Sequence, residues 1–317
     1  MLRLGFVIGV FASGAASLVS IQGGLRALGL PEQPRISMFF YRVLRRLLRL
    51  RVRVIGAPVT GQPVIFVANH ISWVDIAAIG SSIPAHFVAK REVRDWPLIG
   101  LTAELTGTVF VDRSRRRQTA NVNAEIAKRL ARGNPVVLFA EGTSSDGNRV
   151  LPFRSALVGA AGDLLASGPA HREVMLQPLS ISYTHVNGLP MGRQHRPLVA
   201  WYGDTDFLPH LRDYVRQGAV DAVITFGEPV SFSGTDRKTA AKSIESTVRR
   251  LTSASLRAGP PRNWADAGIP FGPEKRYEGR IAAGAAGTGG MTELPGYRGR
   301  KANLLKHLVS NQPSRMA

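Results

Sequence analysis

A histidine and an aspartate five residues apart are the side chains in this sequence whose types and spacing best suit catalysis. His70 and Asp75 follow the short apolar run 64–68, and Asn69 stands directly before the histidine. A carboxylate that accepts a hydrogen bond from one imidazole nitrogen fixes the tautomer, which leaves the other nitrogen free to take a proton from a hydroxyl group. The pair is therefore a candidate general base. Taken alone, so short a motif has a structural histidine as its default interpretation.

Two predicted elements would have to bring these side chains together. The run 64–68 is short and rich in β-branched residues, which predicts a buried strand. Ser72 is a candidate N-cap for a helix over residues 74–79. His70 at the strand end and Asp75 in the first helical turn can then face each other.

Alternating strand and helix patterns continue along the chain to about residue 258. Apolar runs bounded by turn residues predict strands at 51–55, 64–68, 86–89, 108–111, 136–140, 174–183, 198–202 and 222–226. Helical spacing of apolar residues predicts helices at 74–79, 98–105, 114–132, 155–166, 207–217 and 237–257. Such alternation is typical of an α/β domain with a mostly parallel sheet flanked by helices, here residues 51–258.

The region 1–50 is predicted to anchor the protein to a membrane. Residues 4–25 carry no charged side chain and are long enough to cross the hydrocarbon core as a helix. A cleaved signal peptide and a shallow insertion into one leaflet are the alternative interpretations of this segment.

An arginine-rich amphipathic helix follows the apolar segment. Residues 35–53 contain seven arginines and no acidic residue, and apolar side chains recur there at helical spacing. A basic amphipathic helix beside an apolar segment is typical of an element that lies among the headgroups of an anionic leaflet. This charge bias would place everything downstream on the cytoplasmic side of the membrane. An ordinary surface helix packed on the core is the alternative.

Composition narrows the class of partner. The formal net charge is +19 and comes mostly from arginine, which favours a nucleic acid, an acidic membrane or an acidic substrate. The strongest basic cluster adjoins the apolar segment, which favours anionic membrane lipids over nucleic acid.

The chain has no cysteine, so neither a disulfide framework nor a cysteine-ligated metal site is available. Residues 259–317 are rich in glycine and alanine and predict a basic, largely disordered tail.

Three later segments also place polar groups at predicted strands, two of them just beyond a strand end, where the sites of α/β sheets collect. Arg113 follows the strand 108–111, and alone it is an ordinary surface charge. Glu141-Gly142-Thr143 follows the strand 136–140, and exposed backbone N–H groups in such a loop would suit an oxyanion. An ordinary turn is the alternative for that loop. The third segment is Gln177-Pro178, which interrupts an apolar strand.

In this order and at this spacing, the four segments resemble the glycerolipid acyltransferase family, whose best-known member is 1-acylglycerol-3-phosphate acyltransferase. The resemblance covers roughly residues 35–230. The family's four sequence blocks are matched by Asn69, His70 and Asp75, by Phe110 and Arg113, by Phe139, Glu141, Gly142 and Thr143, and by Gln177, Pro178 and Leu179.

The resemblance implies acyl transfer from acyl-CoA or acyl-carrier protein to the hydroxyl group of a lysolipid. His70 would be the general base and Asp75 would orient it, without an acyl-enzyme intermediate, a cofactor or a metal. Backbone amides of the loop 141–143 or near His70 would hold the oxyanion. Substrate contacts would come from Asn69, Arg113, Glu141, Gly142, Thr143 and Arg154.

One position departs from the family pattern and bears on the acceptor. The family has an arginine, expected to meet the acceptor phosphate, where this sequence has Ser144, and it has a proline at the position of Ala140. Arg149 or Arg154 could replace the lost guanidinium. Alternatively the acceptor carries no phosphomonoester, as for the family members that acylate lyso-ornithine lipid.

The leading hypothesis is a membrane-bound acyltransferase that converts 1-acylglycerol-3-phosphate to phosphatidic acid, with lyso-ornithine lipid as the alternative acceptor. A non-catalytic lipid-binding member of the fold is a second class, although it would be free to lose His70 or Asp75 and both are present. A nucleic-acid-binding protein is a third class, and it would require aromatic residues interleaved with basic ones on a folded face. Anionic membrane lipids, the lysolipid acceptor and acyl-carrier protein are the expected partners.

Overall fold

A mixed β-sheet forms the centre of the structure, which is a computed structural model describing residues 2–30, 33–96, 98–111, 119–155, 161–162, 173–232 and 236–258. The strands are β1 (Leu50–Ile55), β2 (Val64–Ala68), β3 (His86–Lys90), β4 (Val109–Val111), β5 (Val136–Phe139), β6 (Val174–Val186), β7 (Leu189–Pro190), β8 (Val220–Phe226) and β9 (Val230–Phe232). Their order across the sheet is β1-β8-β6-β2-β5-β3-β4, and β7 and β9 pair with β6.

Most neighbouring strands run parallel. β2 lies between β5 and β6 and is parallel to both, so that Ala68 aligns with Phe139 and with Leu179. The antiparallel pairs all involve β6, which pairs with β7, β8 and β9. The carboxyl ends of β2 and β5 meet at one edge, and the segments that follow them lie side by side. The predicted α/β fold with a mostly parallel sheet is confirmed.

Helices cover both faces of this sheet. They are α1 (Leu2–Ala27), α2 (Pro34–Leu47), α3 (Val74–Gly80), α4 (Ile99–Leu105), α5 (Thr119–Ala131), α6 (Phe207–Gln217) and α7 (Arg237–Arg257), with short 3₁₀ helices at Arg91–Asp95 and Arg196–Leu198. Alternate side chains of β2 enter two cores: Phe66 packs with residues of α2, α3 and α6, and Val67 packs with residues of α5 and α7. Burial on both faces explains the continuous apolar character of this strand.

One predicted strand is wrong. Residues 198–202 form the end of a 3₁₀ helix and a loop, in which the Trp201 amide donates to the Ile71 carbonyl oxygen at 3.0 Å. Val199 and Ala200 are buried in the core, so the run is apolar because a loop packs there. The other predicted strands and helices are present, some of them with shifted ends, except that most of the helix 155–166, the start of the helix 114–132 and the tail 259–317 lie outside the described residues.

The arginine-rich helix α2 packs on the protein core. Phe40 and Tyr41 belong to the same core cluster as the sheet. A Cβ at Gly80 of α3 would come within 2.5 Å of the Tyr41 ring, so glycine permits this close approach of the two helices. For these residues the structure favours the alternative interpretation, a surface helix packed on the core, because Phe40 and Tyr41 fill the protein interior. Arg51, at the end of the basic stretch, forms an ion pair with the buried Asp221 of β8.

Helix α1 is, among the described helices, the one long and apolar enough to cross a membrane, over Arg3–Ala27. One side of it packs on the domain through buried residues that include Val7 and Leu18. The other side leaves Phe6 and Ile21 at least half exposed. The helix therefore has a protein-facing side and an exposed apolar side.

Candidate active site

His70 and Asp75 meet at the carboxyl end of β2. His70 Nδ1 donates to Asp75 Oδ2 at 2.8 Å, and the aspartate is fully buried while 19% of the histidine side chain is exposed. The imidazole ring stacks on the Phe139 ring, with ring centroids 4.0 Å apart. A carboxylate only accepts hydrogen bonds, so Nδ1 carries the proton and Nε2 keeps its lone pair. Nε2 has no partner among the described residues and is available to a bound hydroxyl group.

Four hydrogen bonds converge on the Asp75 carboxylate. Its Oδ2 atom accepts from His70 and from the amides of Ile71 and Ser72 at 2.7 and 3.0 Å. Its Oδ1 atom accepts from the Tyr183 hydroxyl at 2.6 Å. Together these bonds hold the carboxylate in one orientation behind the imidazole ring.

The predicted N-cap role of Ser72 is wrong. Trp73 occupies the cap position of α3, and the Ser72 amide donates to the Asp75 side chain inside the first turn. The Ser72 hydroxyl is buried and has no hydrogen-bond partner in the part of the chain that the structure describes. The Asp75 carboxylate thus accepts from two amides just before the helix and orients the histidine at the same time.

Tyr183 is a site residue that the sequence did not indicate. It lies on β6, 108 residues from Asp75 along the chain, and it is buried. Burial, and then the charge of Asp75, raises the pKa of Tyr183 well above its ordinary value, so the hydroxyl stays a donor. No local pattern marks this residue, because only the pairing of β6 with β2 brings it to the dyad.

The predicted substrate contacts of Asn69 and Glu141 are corrected by the structure, because both side chains are buried and used inside the protein. Asn69 Nδ2 donates to the Ile181 carbonyl oxygen and Oδ1 accepts from the Ile181 amide, each at 2.9 Å. Glu141 Oε1 accepts from the His70 amide at 3.4 Å. Burial raises the pKa of Glu141 to about 8. Both residues therefore hold the main chain around the dyad.

Gly142 and Arg154 come together beside the dyad. Gly142 has a φ of +72°, and its amide donates to the Phe139 carbonyl oxygen at 3.1 Å, so this amide is not available to an oxyanion. A Cβ at this position would come within 2.7 Å of Arg154 Nε, so glycine lets the guanidinium lie across the loop. Arg154 is exposed and stays a predicted contact for an acidic group of the substrate. Arg113 lies outside the described residues.

The loop after β5 continues towards the dyad. The Ser145 amide donates to the His70 carbonyl oxygen at 2.9 Å, and the Ser144 hydroxyl donates to the Trp201 carbonyl oxygen at 2.5 Å. Thr143 is exposed, and the amides of Thr143 and Ser144 donate to no acceptor within the described segments. These two N–H groups are the candidate oxyanion donors.

The assembled groups suit the attack of a hydroxyl group on a carbonyl carbon. A base with an open nitrogen, a buried carboxylate behind it and two unused amides in the adjoining loop are the parts that acyl transfer requires. Within the described ranges, no three histidine, aspartate or glutamate side chains lie together as a metal site would need.

Comparison with known proteins assigns the chain to a family. A family model described as Acyltransferase matches residues 49–182. The lyso-ornithine lipid O-acyltransferase of Brucella abortus (strain 2308) is 44% identical over 257 residues, which are 80% of this chain and 96% of that protein. The chain belongs to the glycerolipid acyltransferase family. This acyltransferase is an enzyme that transfers acyl groups to lysolipids, and the acyl donor is a substrate rather than a cofactor.

Two further similarities relate this acyltransferase to other members. The 1-acyl-sn-glycerol-3-phosphate acyltransferase of Neisseria gonorrhoeae is 39% identical over 111 residues, which are 34% of this chain and 44% of that protein. The crystal structure of the 1-acyl-sn-glycerophosphate (LPA) acyltransferase PlsC from Thermotoga maritima matches with a TM-score of 0.57 at 21% identity. That match covers 82% of this chain and 96% of the other, and it supports the α/β fold.

Proposed function

We propose that this acyltransferase moves an acyl chain from a thioester donor, acyl-CoA or acyl-carrier protein, to the hydroxyl group of lyso-ornithine lipid. The observation that carries the chemistry is the His70–Asp75 pair. His70 Nδ1 donates a hydrogen bond to the Asp75 carboxylate at 2.8 Å, and Nε2 is free to accept a proton. The acceptor is supported by the Brucella abortus relative, which matches over nearly its whole length and bears this substrate in its name.

The geometry supports a direct transfer between the two substrates. His70 Nε2 takes the proton of the acceptor hydroxyl as that oxygen attacks the thioester carbonyl carbon, and Asp75 stabilises the imidazolium that forms. The amides of Thr143 and Ser144 donate to the oxyanion of the tetrahedral intermediate. The intermediate then expels the thiolate, which takes the proton from Nε2 and leaves as a thiol.

Ser144 is the position that bears most directly on the acceptor. The family pattern has an arginine here for the acceptor phosphate, whereas the Ser144 hydroxyl donates to the Trp201 carbonyl oxygen and so supports the neighbouring loop. A missing charge-assisted hydrogen bond weakens phosphate binding by roughly 1.5–3 kcal/mol. The headgroup of an ornithine lipid is an amino acid without a phosphate, so its binding does not require that arginine.

The acceptor predicted first, 1-acylglycerol-3-phosphate, is the second candidate. The exposed Arg154 guanidinium lies across Gly142, two residues from Ser144, where it could meet a phosphate. The Neisseria gonorrhoeae relative bears this substrate in its name, over a shorter match. A direct comparison of the two acceptors separates the candidates.

An acceptor panel with the full-length enzyme in membranes tests the acceptor. Lyso-ornithine lipid and 1-acylglycerol-3-phosphate are each offered with one acyl donor, and kcat/KM is measured. We expect kcat/KM to be about tenfold higher for lyso-ornithine lipid, the factor that corresponds to one charge-assisted hydrogen bond. Equal or better use of 1-acylglycerol-3-phosphate would contradict the acceptor and leave the acyl transfer itself intact.

The His70→Ala variant tests the chemistry. Loss of the general base is expected to lower kcat by about 10²–10⁴-fold. The fold should persist, because the histidine side chain is partly exposed and its loss leaves the strand unchanged. The exposed His195 is the matched control, and His195→Ala should retain activity. A folded His70→Ala enzyme with near-normal turnover would rule out the mechanism.

We further propose that the enzyme works at the cytoplasmic face of a bacterial inner membrane, bound to anionic lipids. The exposed apolar side of α1, which includes Phe6 and Ile21, and the net charge of +19 support this placement. Protease added to intact spheroplasts should leave the catalytic domain whole, and protease added to lysed cells should cleave it. Cleavage in intact spheroplasts would place the domain on the other side.

A further inference from the structure

Five large apolar side chains are exposed around one end of the helices α4 and α6. This surface, the leucine rim, consists of Leu98, Leu101, Leu198, Tyr202 and Leu208, whose exposed fractions run from 39% for the tyrosine to 69% for Leu208. Single exposed leucines are ordinary on protein surfaces, so the exposure of any one of them requires no explanation. The grouping of five such side chains in one region does require an explanation.

Three aromatic rings pack together among the rim residues. Trp96 and Trp201 have ring centroids 5.9 Å apart, and Phe207 lies 5.2 Å from the first and 6.3 Å from the second. These rings come from the segment before α4, the loop after β7 and the first turn of α6. The exposed leucines therefore flank one cluster of three rings, although they come from two distant parts of the sequence, 98–101 and 198–208.

The rim adjoins the catalytic dyad. The Trp201 amide donates to the Ile71 carbonyl oxygen at 3.0 Å, one residue after His70. Phe207 also contacts Trp73, which lies between the two dyad residues in the sequence, with ring centroids 5.4 Å apart. A surface that touched the rim would therefore lie close to the place where the acceptor hydroxyl must arrive.

Helix α1 connects to the same two helices at their other ends. Arg26 Nη1 lies 3.9 Å from Glu104 Oε1, near the C-terminal end of α4. Arg3 lines a cleft together with Val215 and Arg216, near the C-terminal end of α6. The leucine rim therefore lies at the ends of α4 and α6 opposite these contacts with α1. Because this enzyme acts on lysolipids, an exposed apolar surface beside its dyad favours a lipid surface as the occupant over a protein partner.

We propose that the leucine rim inserts into the boundary between headgroups and acyl chains of the bilayer, as a membrane contact separate from α1 and α2. Tryptophan and tyrosine favour this boundary because they combine an apolar body with a polar tip. The rim would bring the dyad to the depth at which the hydroxyl of a membrane lysolipid is found. This inference concerns binding to lipid, and it does not depend on which lysolipid is the acceptor.

Leu208→Lys in the full-length protein tests the rim, with Leu189→Lys as the matched control. Both leucines are 69% exposed, but Leu189 lies on β7, which pairs with the end of β6 and contributes no ring to the aromatic cluster of the rim. The affinity for vesicles of phosphatidylethanolamine and phosphatidylglycerol is measured by cosedimentation at a fixed salt concentration. We expect Leu208→Lys to weaken binding about tenfold, as the lost insertion of one leucine implies, and Leu189→Lys to bind like the wild type. Equal affinity of the two variants would overturn the proposal.

Fluorescence provides a second measurement that does not rely on a charge change. Vesicles with brominated acyl chains quench tryptophans that reach the acyl region, and we expect the bound wild-type protein to lose more fluorescence than Trp201→Phe does. Absence of quenching in the bound wild type would contradict insertion. A Leu208→Lys enzyme that binds vesicles normally but has a raised KM for a micellar acceptor would assign the rim to an acyl-chain pocket, which would also overturn the proposal.

Discussion

At the scale of single residues, Asp75 is the most constrained group of the active site. Its carboxylate is fully buried and accepts hydrogen bonds from His70, from Tyr183 and from two main-chain amides. A buried charge without such donors would be strongly unfavourable. The dyad is therefore oriented by the protein itself before any substrate binds.

Tyr183→Phe removes one donor from Asp75 and keeps the buried ring. A hydrogen bond to a charged group contributes about 1.5–3 kcal/mol, so we expect a lower Tm and a kcat reduced about tenfold, with little change in the KM of the acyl donor. Thermal unfolding and steady-state kinetics on the same preparation provide the measurement. Tyr214→Phe, at a buried ring whose hydroxyl has no hydrogen-bond partner in the described part of the chain, is the control and should lower neither quantity. A normal kcat with a lower Tm would make Tyr183 purely structural.

Glu141→Gln tests the protonation of the buried carboxyl group. Burial raises the pKa of Glu141 from 4.5 to about 8, so the folded protein keeps a proton that the unfolded chain releases. The stability that Glu141 contributes is fully present below pH 4.5 and is lost as the pH rises towards 8, by at most about 1.4 kcal/mol per pH unit. Glutamine does not titrate. The Tm of the variant, followed between about pH 5 and pH 9, should therefore fall less than that of the wild type, and parallel curves would contradict a neutral Glu141.

At the scale of elements, the loop after β5 places the strictest demand on the backbone. Gly142 has a positive φ and lies against the Arg154 side chain, and the next residues bring two unused amides to the dyad. The loop is held by its contacts to His70 and Trp201 rather than by sheet pairing. Adding one methyl group at Gly142 therefore tests the conformation of this loop.

Gly142→Ala is expected to lose both stability and activity, whereas Gly133→Ala should lose stability only. Both glycines have similar positive φ values, +72° and +76°, so alanine strains both by about 1 kcal/mol. A Cβ at Gly133 meets nothing within 4 Å, whereas one at Gly142 displaces Arg154. The difference in kcat/KM between the two variants, at matched Tm loss, measures the contribution of the loop geometry. Equal activities would show that the loop tolerates the shift.

Elements with complete local patterns were predictable from the sequence. The helices Phe207–Gln217 and Arg237–Arg257 have the predicted ends, because apolar spacing and flanking residues mark them locally. The run 198–202 was assigned to a strand, since a buried loop and a short strand share one composition. The apolar content of 198–202 predicts that the run is buried. Whether it forms a strand or a loop depends on the groups to which its backbone amides and carbonyls are hydrogen-bonded.

The active site was predictable only in part for a related reason. His70 and Asp75 are five residues apart, so their meeting follows from one strand end and one helix start. The contribution of Tyr183 depends on the register of β6 beside β2, which no local pattern specifies. The resemblance to the family assigns Asn69 and Glu141 to the substrate, because both match its sequence blocks. Burial, which only the assembled fold determines, gives them internal partners instead.

At the scale of the whole molecule, the first two helices share a core with the sheet. Leu18 of α1 and Phe40 of α2 belong to the core cluster that includes Phe66 of β2. Phe11 of α1 also contacts the Phe40 ring, with centroids 5.9 Å apart. The N-terminal region therefore supports the catalytic domain as well as presenting an apolar side outwards.

Two truncations separate these contributions. A chain that begins at residue 49 lacks Phe40 and Tyr41, and loss of two such core aromatics at about 3–5 kcal/mol each approaches the whole stability of a domain. We expect it to show no cooperative unfolding by circular dichroism. A chain that begins at residue 28 keeps α2, and it should unfold cooperatively while binding vesicles less tightly. A cooperatively folded chain from residue 49 would show that α2 is dispensable for the core.

The strand β6 also sets the time at which this enzyme can become active during synthesis. Asn69 is hydrogen-bonded to Ile181, 112 residues later in the chain, and Asp75 is hydrogen-bonded to Tyr183, 108 residues later. A nascent chain that has emerged only through β5 already contains the base and its carboxylate, but it lacks the strand that holds them in place. Acyl transfer must therefore begin late in translation. Until β6 has emerged from the ribosome and paired with β2, we expect an unfinished chain to transfer no acyl group.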